Sequence, residues 1–272
     1  MASHWLTVRK FNSRYGHERE IKALSRLNPF SLTLLGMMLL STVSGTSVWA
    51  DSTTDPSQSQ LEQTIEQYIR SHPEMIEQAL RTLEAKRLEA QKARIEQTIA
   101  AYQNELLHDP DSPVSGNPSG DVTVIEFFDY RCGYCKRVAA AVTKLQQEDA
   151  GVRVVYKDFP ILGDTSVFAA RAALAAQTQG KHQAFHEAML ASAHDLTQAE
   201  VLSIADQVGI DRTQLESDLR LPKWDSVIER NRDLAEVLTI SGTPGFIVGG
   251  ELHPGALGLE KLIQLVRKAR SK

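Results

Sequence analysis

The chain has 272 residues, 42% of them hydrophobic and 24% charged. That is enough apolar side chain for a packed core of one or two domains, which excludes a wholly disordered or collagen-like chain. Thirty basic residues stand against 34 acidic ones, a net charge of −4 that argues against a nucleic-acid binder working through bulk charge. Only two cysteines are present, three positions apart.

The first fifty residues have the order of an export signal. Arg19, Lys22 and Arg26 precede an apolar stretch from Phe30 to Val43; small residues and then Val48-Trp49-Ala50 follow, with short side chains at the positions a signal peptidase reads. Cleavage is expected after Ala50. The stretch is interrupted by Ser31, Thr33 and Gly36, and is short and polar for an uncleaved anchor. Removing residues 1–50 takes away six basic and two acidic residues and leaves 24 against 32, a net of −8. Such a signal implies the periplasm, with outer-membrane association an open alternative. That compartment is oxidising, and a cysteine pair can form a disulfide there.

Residues 51–59 are polar. From Leu61 the spacing predicts helix, with Leu61, Ile65 and Ile69 on one stripe and Ile76, Leu80 and Leu83 following a break at His72-Pro73. Ile95, Ile99, Tyr102 and Leu106 form a second stripe, one residue out of phase with the first. Residues 51–108 therefore read as a helical arm. Its stripe packs either against another copy, giving a homo-oligomer, or against the rest of the chain. Asp109-Pro110-Asp111-Ser112-Pro113 and Gly116-Asn117-Pro118-Ser119-Gly120 stop the helix, so residues 109–120 read as a linker or surface loop.

The compact domain is expected over residues 121–272. Val122–Phe128 reads as a buried strand, Cys132–Gln147 as a helix and Val152–Phe159 as a second strand. A long helical insertion follows over about 164–237. Within it, Thr197 and Glu200 form a capping box, Gly209 is a stop, Asp211 is a cap and Pro222 is a break. Phe246–Val248, the Gly249-Gly250 turn and Glu251–His253 read as a hairpin, and Leu259–Ala269 as a closing helix. The class is α/β.

Cys132-Gly133-Tyr134-Cys135 falls where the first strand hands over to a helix. Residues three apart on a helical turn are neighbours within the span of a disulfide. The first turn also presents unpaired N–H groups and the positive end of the helix dipole, which favour an anion at Cys132. Cys135 lies one turn in and is shielded. Cys132 is thus the candidate nucleophile and Cys135 the resolving thiol. A static structural disulfide and a zinc half-site are the alternatives. The first would remove little chain entropy from so short a loop, and the second would need distant histidines. His182 and His186 share a helix face at i, i+4 and could ligate a metal, but the pattern around them suggests exposed side chains. No cofactor is expected.

The run Val124-Ile-Glu-Phe-Phe-Asp-Tyr-Arg-Cys-Gly-Tyr-Cys135, with Thr243-Pro244 far downstream ahead of a strand, resembles the DsbA-type thioredoxin-fold disulfide oxidoreductases over about Gly120 to Lys272. The resemblance implies a thioredoxin-like domain with a large helical insertion. It makes Pro244 a cis proline beside the cysteines, the alternative being an ordinary trans loop proline. It makes Thr243 a donor of backbone hydrogen bonds to substrate. It also makes Glu126 the acid/base for the proton of Cys135, unless that strand is exposed on the Glu126 side. Gly133 and Tyr134 face the substrate and supply no cation, which implies a milder oxidant than relatives with histidine there.

With the arm included, the chain is similar to a stalk-bearing subgroup that takes in ScsC-like proteins and Com1-like surface antigens. That likeness implies isomerase or mixed activity on reduced or misfolded secreted proteins. It also implies a membrane redox partner, either a DsbB-like oxidase or a DsbD/ScsB-like reductase. Thr243 before the proline departs from the valine of typical monomeric oxidases. A non-catalytic scaffold protein with a structural disulfide is the competing reading.

Overall fold

The structure, a computed structural model, describes residues 56–272; the expected leader at 1–50 and its cleavage after Ala50 lie outside them. The first two helices, α1 (Pro56–Ser71) and α2 (Pro73–Ala101), meet at His72. Pro73 sits in the first turn of α2, where its missing N–H costs nothing. Ser71 turns its hydroxyl back to the Gln67 carbonyl at 2.8 Å, and His72 caps α2 without a side-chain bond. A short helix α3 (Gln103–Leu107) follows.

The two stripes of this arm have different fates. Leu61, Ile65, Ile69, Ile76, Leu80 and Leu83 are all exposed, whereas Ile99 and Leu106 are buried; Tyr102, placed on the second stripe from sequence, stays exposed. Ile95 and Leu107 pack with these two against Ile125, Phe127, Val155, Leu238 and Ile247. Burying a side chain of this size stabilises by about 1.5–3 kcal/mol, so the last turns of the arm belong to the domain core. Polar contacts hold them there. Arg153 donates to the Leu107 carbonyl at 2.8 Å. The fully buried Lys157 ammonium donates to the Glu105 carbonyl at 2.7 Å and to Ser112 Oγ at 2.7 Å, and lies 3.3 Å from the Asp109 carboxylate.

Residues 109–120, read from sequence as a linker, are not a loose connection. They carry an edge strand β1 (Val114–Gly116), and Ser112 and Ser115 are buried. Then come β2 (Val122–Phe128), α4 (Gly133–Glu148) and β3 (Val152–Asp158). The insertion comprises α5 (Asp164–Ala175), a 3-10 turn at Ala176–Gln179, α6 (His182–Ala191), α7 (Gln198–Gln207), α8 (Arg212–Asp218) and α9 (Lys223–Val237). The chain closes with β4 (Gly245–Val248), β5 (Glu251–Pro254) and α10 (Leu259–Arg270).

The five strands run in the order β1-β3-β2-β4-β5. Strands β2 and β3 are parallel, with Glu126 opposite Tyr156 and Phe128 opposite Asp158, and the other pairings are antiparallel. The central strands are buried on both faces, which explains their near-continuous apolar runs. One face packs against α4, α10 and most of the insertion, the other against the C-terminal half of α9 and the base of the arm.

Inside the insertion, Thr197 Oγ1 accepts from the Glu200 N–H at 3.2 Å and Asp211 Oδ1 from Gln214 N–H at 2.8 Å. The capping box is only half made, because the Glu200 carboxylate takes a hydrogen bond from Ser192 instead. Pro222 serves as the cap of α9.

Candidate active site

Cys132 is the N-cap of α4, with extended backbone (φ −71°, ψ 115°), and Cys135 lies in the first turn of that helix. Both are free thiols, 7% and 0% exposed. The Thr243-Pro244 bond is cis, as the resemblance implies. Cys132 Sγ donates to the Thr243 carbonyl oxygen at 3.3 Å, across 111 residues of sequence. Strand β4 begins at Gly245 and pairs with β2 through Phe127 and Glu126. The same pairing therefore brings the 243–244 peptide over the amino end of α4.

Gly133 occupies open space: a Cβ added there would meet nothing within 4 Å, so no packing demand requires a glycine. Tyr134 is 59% exposed, and the Arg137 guanidinium lies 4.1 Å from its ring centroid. The sequence reading gave this dipeptide no cation. The structure supplies one from the next turn of the helix, stacked on the tyrosine face.

Glu126 is 2% exposed, so the exposed-strand alternative is excluded. Alternation along β2 sets it on the same face as Val124 and Phe128, which pack with the α4 side chains. Burial pushes its carboxyl up to about 8. Burial likewise pushes the Cys135 thiol far above its ordinary range, and the Glu126 charge adds to that. Glu126 also lines a cavity of about 440 Å³ with Lys136, Tyr156 and His186.

Sequence reasoning missed how heavily the turn between β2 and α4 is anchored. Asp129, 1% exposed, accepts from the Arg131 N–H at 2.7 Å and Ser166 Oγ at 2.8 Å. It also accepts from the Ile161 and Leu162 N–H groups at 2.9 and 3.0 Å. One carboxylate thus ties the cysteine turn to the loop after β3 and to α5. The only available signal was an aspartate ending an apolar strand.

The histidine expectation is corrected. His182 and His186 are 7% and 4% exposed, not solvent-facing. Their rings stack with centroids 5.5 Å apart, and His186 Nδ1 is hydrogen-bonded to the Tyr130 hydroxyl at 3.0 Å. Burial pushes His182 down to about 4 and His186 well below its ordinary range, so both are neutral packing elements at pH 7. Their ring faces meet Phe128 and Tyr156, which is why an i, i+4 pair with a polar appearance is interior. No group of three or more metal-ligating side chains gathers among the described residues.

Comparison with known proteins places this geometry in a family. The DSBA-like thioredoxin domain matches residues 123–267, more than half of the chain. A thioredoxin-like oxidoreductase from Silicibacter pomeroyi DSS-3 is 46% identical with a TM-score of 0.61, over 62% of this chain and 98% of that one. ScsC of Proteus mirabilis, in a transitional conformation, extends over 79% of this chain and 97% of its own with a TM-score of 0.60. At 24% identity that likeness is one of fold. Among curated proteins, the Na(+)/H(+) antiporter NhaA 3 of Salinispora tropica is 32% identical over 164 residues, 59% of this chain. The chain spans only about a quarter of the length of the curated relatives it matches, and no described helix is long and apolar enough to cross a membrane. The chain belongs to the DsbA-like thioredoxin-domain family, and its fold is that of the thiol–disulfide oxidoreductases.

Proposed function

We propose that this chain is an exported thiol–disulfide oxidoreductase acting on secreted proteins in the periplasm, by exchange through Cys132 and Cys135. The observation that carries the reading is the asymmetry of the pair. Cys132 caps the helix with its sulfur against the Thr243 carbonyl, and Cys135 lies in the first turn with no exposed surface.

In the reducing direction, the Cys132 sulfur attacks a substrate disulfide, forming a mixed disulfide and releasing one substrate thiol. Cys135 then attacks Cys132 Sγ, releasing the second substrate thiol and closing the enzyme disulfide. Two electrons and two protons pass from enzyme to substrate. Oxidation of a substrate dithiol is the reverse. Cys135 must lose its proton to resolve the intermediate, and burial opposes that. Glu126, a buried carboxyl titrating near neutrality on the adjoining strand, is suited to take the proton, the match of pKa to working pH that general-base catalysis needs. Thr243 offers main-chain hydrogen bonds to the substrate strand, and Pro244, Gly133 and Tyr134 frame its entry.

The exposed distal stripe of the arm supports self-association, which would place several cysteine pairs around one misfolded substrate and favour isomerisation. The electrons would be exchanged with a membrane partner, an oxidase or a reductase. Insulin reduction by the wild type and by Cys132→Ala tests the chemistry: loss in the variant is expected, and equal rates would leave only the scaffold reading. Refolding of scrambled ribonuclease by an Ile69→Asp, Leu80→Asp double variant tests the arm. Cutting the chain at Asp109 would be the wrong test, because it strips Ile99 and Leu106 from the core.

A further inference from the structure

The cysteine pair sits in a local cluster of positive charge. Arg131, Lys136 and Arg137 flank Cys132 and Cys135 in a chain whose net charge is −4. The two acids just ahead of the motif, Glu126 and Asp129, are buried, and Asp129 is taken up by main-chain and hydroxyl donors. Two of the cations are engaged as well. Lys136 Nζ donates to the Ser192 and His194 carbonyls at 2.9 and 3.4 Å, at the carboxyl end of α6. Arg131 donates to the Leu162 carbonyl at 3.0 Å and lies 3.3 Å from the Asp195 carboxylate.

Arg137 differs from both. It is exposed, and among the described residues no carboxylate pairs with it. Its guanidinium is held over the Tyr134 ring, with Cζ 4.1 Å from the centroid. The two residues are three apart on α4, and a long helical side chain points back toward the amino end. The arginine therefore leans toward the end of α4 that Cys132 caps. Along the axis the two residues are five steps apart, about 7.5 Å, and folding back over Tyr134 shortens the gap. A contact through the face of the guanidinium leaves its in-plane N–H donors open, the fork that receives a carboxylate through two parallel hydrogen bonds. Stacking also orders the side chain before a partner arrives, so less rotamer freedom is lost on binding. Asp195, its side chain 71% exposed, already takes such a place on Arg131 at the surface of the same turn.

We propose that Arg137, presented on Tyr134, is a specificity-determining residue that receives an acidic side chain of the substrate polypeptide beside its reacting cysteine. Charge selects the carboxylate: the cation is unpaired and open to solvent near the nucleophile, and the acids nearest to it in the motif are buried. The inference rests on the thiol–disulfide reading above and gives it a substrate class, cysteines with acidic neighbours.

The test uses the reduced full chain and two unstructured peptides, identical except that glutamates or glutamines flank a single cysteine. That cysteine carries 2-mercaptoethanol in disulfide linkage, so the small thiol brings no charge. The readout is the ratio of second-order rate constants for reduction, glutamate peptide over glutamine peptide. The wild type is expected to prefer the glutamate peptide about fivefold at low salt, the upper range for one exposed ion pair, and to lose most of that preference at about 1 M salt. Arg137→Gln should bring the ratio near one, and Arg137→Glu should bring it below one. Lys144→Gln, which removes a cation two turns farther along α4, should keep the preference of the wild type. A wild-type ratio of one, the sign of a neutral partner, would overturn the assignment, as would a preference that survives in Arg137→Gln. An equal fall in Lys144→Gln would overturn it too, since any lost cation would then suffice. A wild type that reduces neither peptide would instead overturn the disulfide chemistry, and this inference with it.

Discussion

Glu126 gives the sharpest test of the electrostatics, because its burial predicts a pH-dependent stability that one isosteric change removes. The carboxyl rises from an ordinary 4.5 to about 8 in the folded chain, and the cause is burial alone. A raised carboxyl means the folded state holds its proton more tightly than the unfolded state. Its contribution is therefore fully present below pH 4.5 and is lost as pH rises through 8. At about 1.36 kcal/mol per pH unit, the loss between pH 5 and pH 9 is about 4 kcal/mol. Glu126→Gln keeps the shape and deletes the titration. Urea unfolding of the wild type and the variant, both carrying Cys135→Ala so that this thiol does not titrate, is measured at intervals across that range. The variant is expected to gain on the wild type steadily as pH rises. It will not become flat, since Asp158, fully buried with neither carboxylate oxygen hydrogen-bonded, is also pushed up to about 8. Parallel curves for the two proteins, differing by a constant, would refute the assignment of Glu126 as a desolvated acid and with it the proton route to Cys135.

Two further changes probe the frame that holds the cysteines. Asp129→Asn turns an oxygen that accepts from main-chain N–H groups into a donor or weakens it, and a loss of about 2–4 kcal/mol in urea unfolding is expected. The insulin-reduction rate should fall with it, and a variant as stable as the wild type would show that the carboxylate does not organise this turn. Lys157→Met leaves Asp109 with Arg230, at 3.5 Å, as its one remaining cation beside the hydrogen bonds from the Asp111 N–H and Ser112 Oγ, and is expected to destabilise by about 3 kcal/mol, the low end for a broken buried pair. Limited proteolysis should then cut first between α3 and β1; unchanged protection there would mean that the arm is held without the lysine.

The strand–CxxC–helix unit was legible because each part obeys a local rule. A β-branched and aromatic run makes the buried strand, the cysteines fall at the cap, and Thr243-Pro244 precedes a second apolar run. The β1 strand was not legible, since three residues among prolines and glycines carry no period and its pairing with β3 is wholly tertiary. The two histidines misled for a related reason. His182 and His186 share α6 with polar Gln183 and Glu187, and nothing local shows that their common face turns inward onto Phe128 and Tyr156. Asp129 was hidden because its partners lie on three separate segments. Glu126 was found only as an anomaly, a carboxylate in an apolar strand, and the structure supplied the reason it matters.

The one-residue phase slip between the two arm stripes follows from what each must meet. A helix that served only as a stalk would keep one seam in register along its length. Here Ile99 and Leu106 are buried and Ile95 partly buried against the central sheet, while the stripe through Leu61 to Leu83 is exposed. Between them, Leu88, Gln91, Lys92, Ile95 and Glu96 line a cavity of about 670 Å³ shared with the segment from Thr239 to Gly245. The stretch between the seams must be straight, polar outside and rich in helix formers, which is the composition found from Glu84 to Arg94. The end of α2 is fixed to the sheet through Ile99, and its extension in α3 through Lys157. An oligomer built through the distal stripe would then hold its cysteine pairs at spacings set by helix geometry and not by a flexible tether.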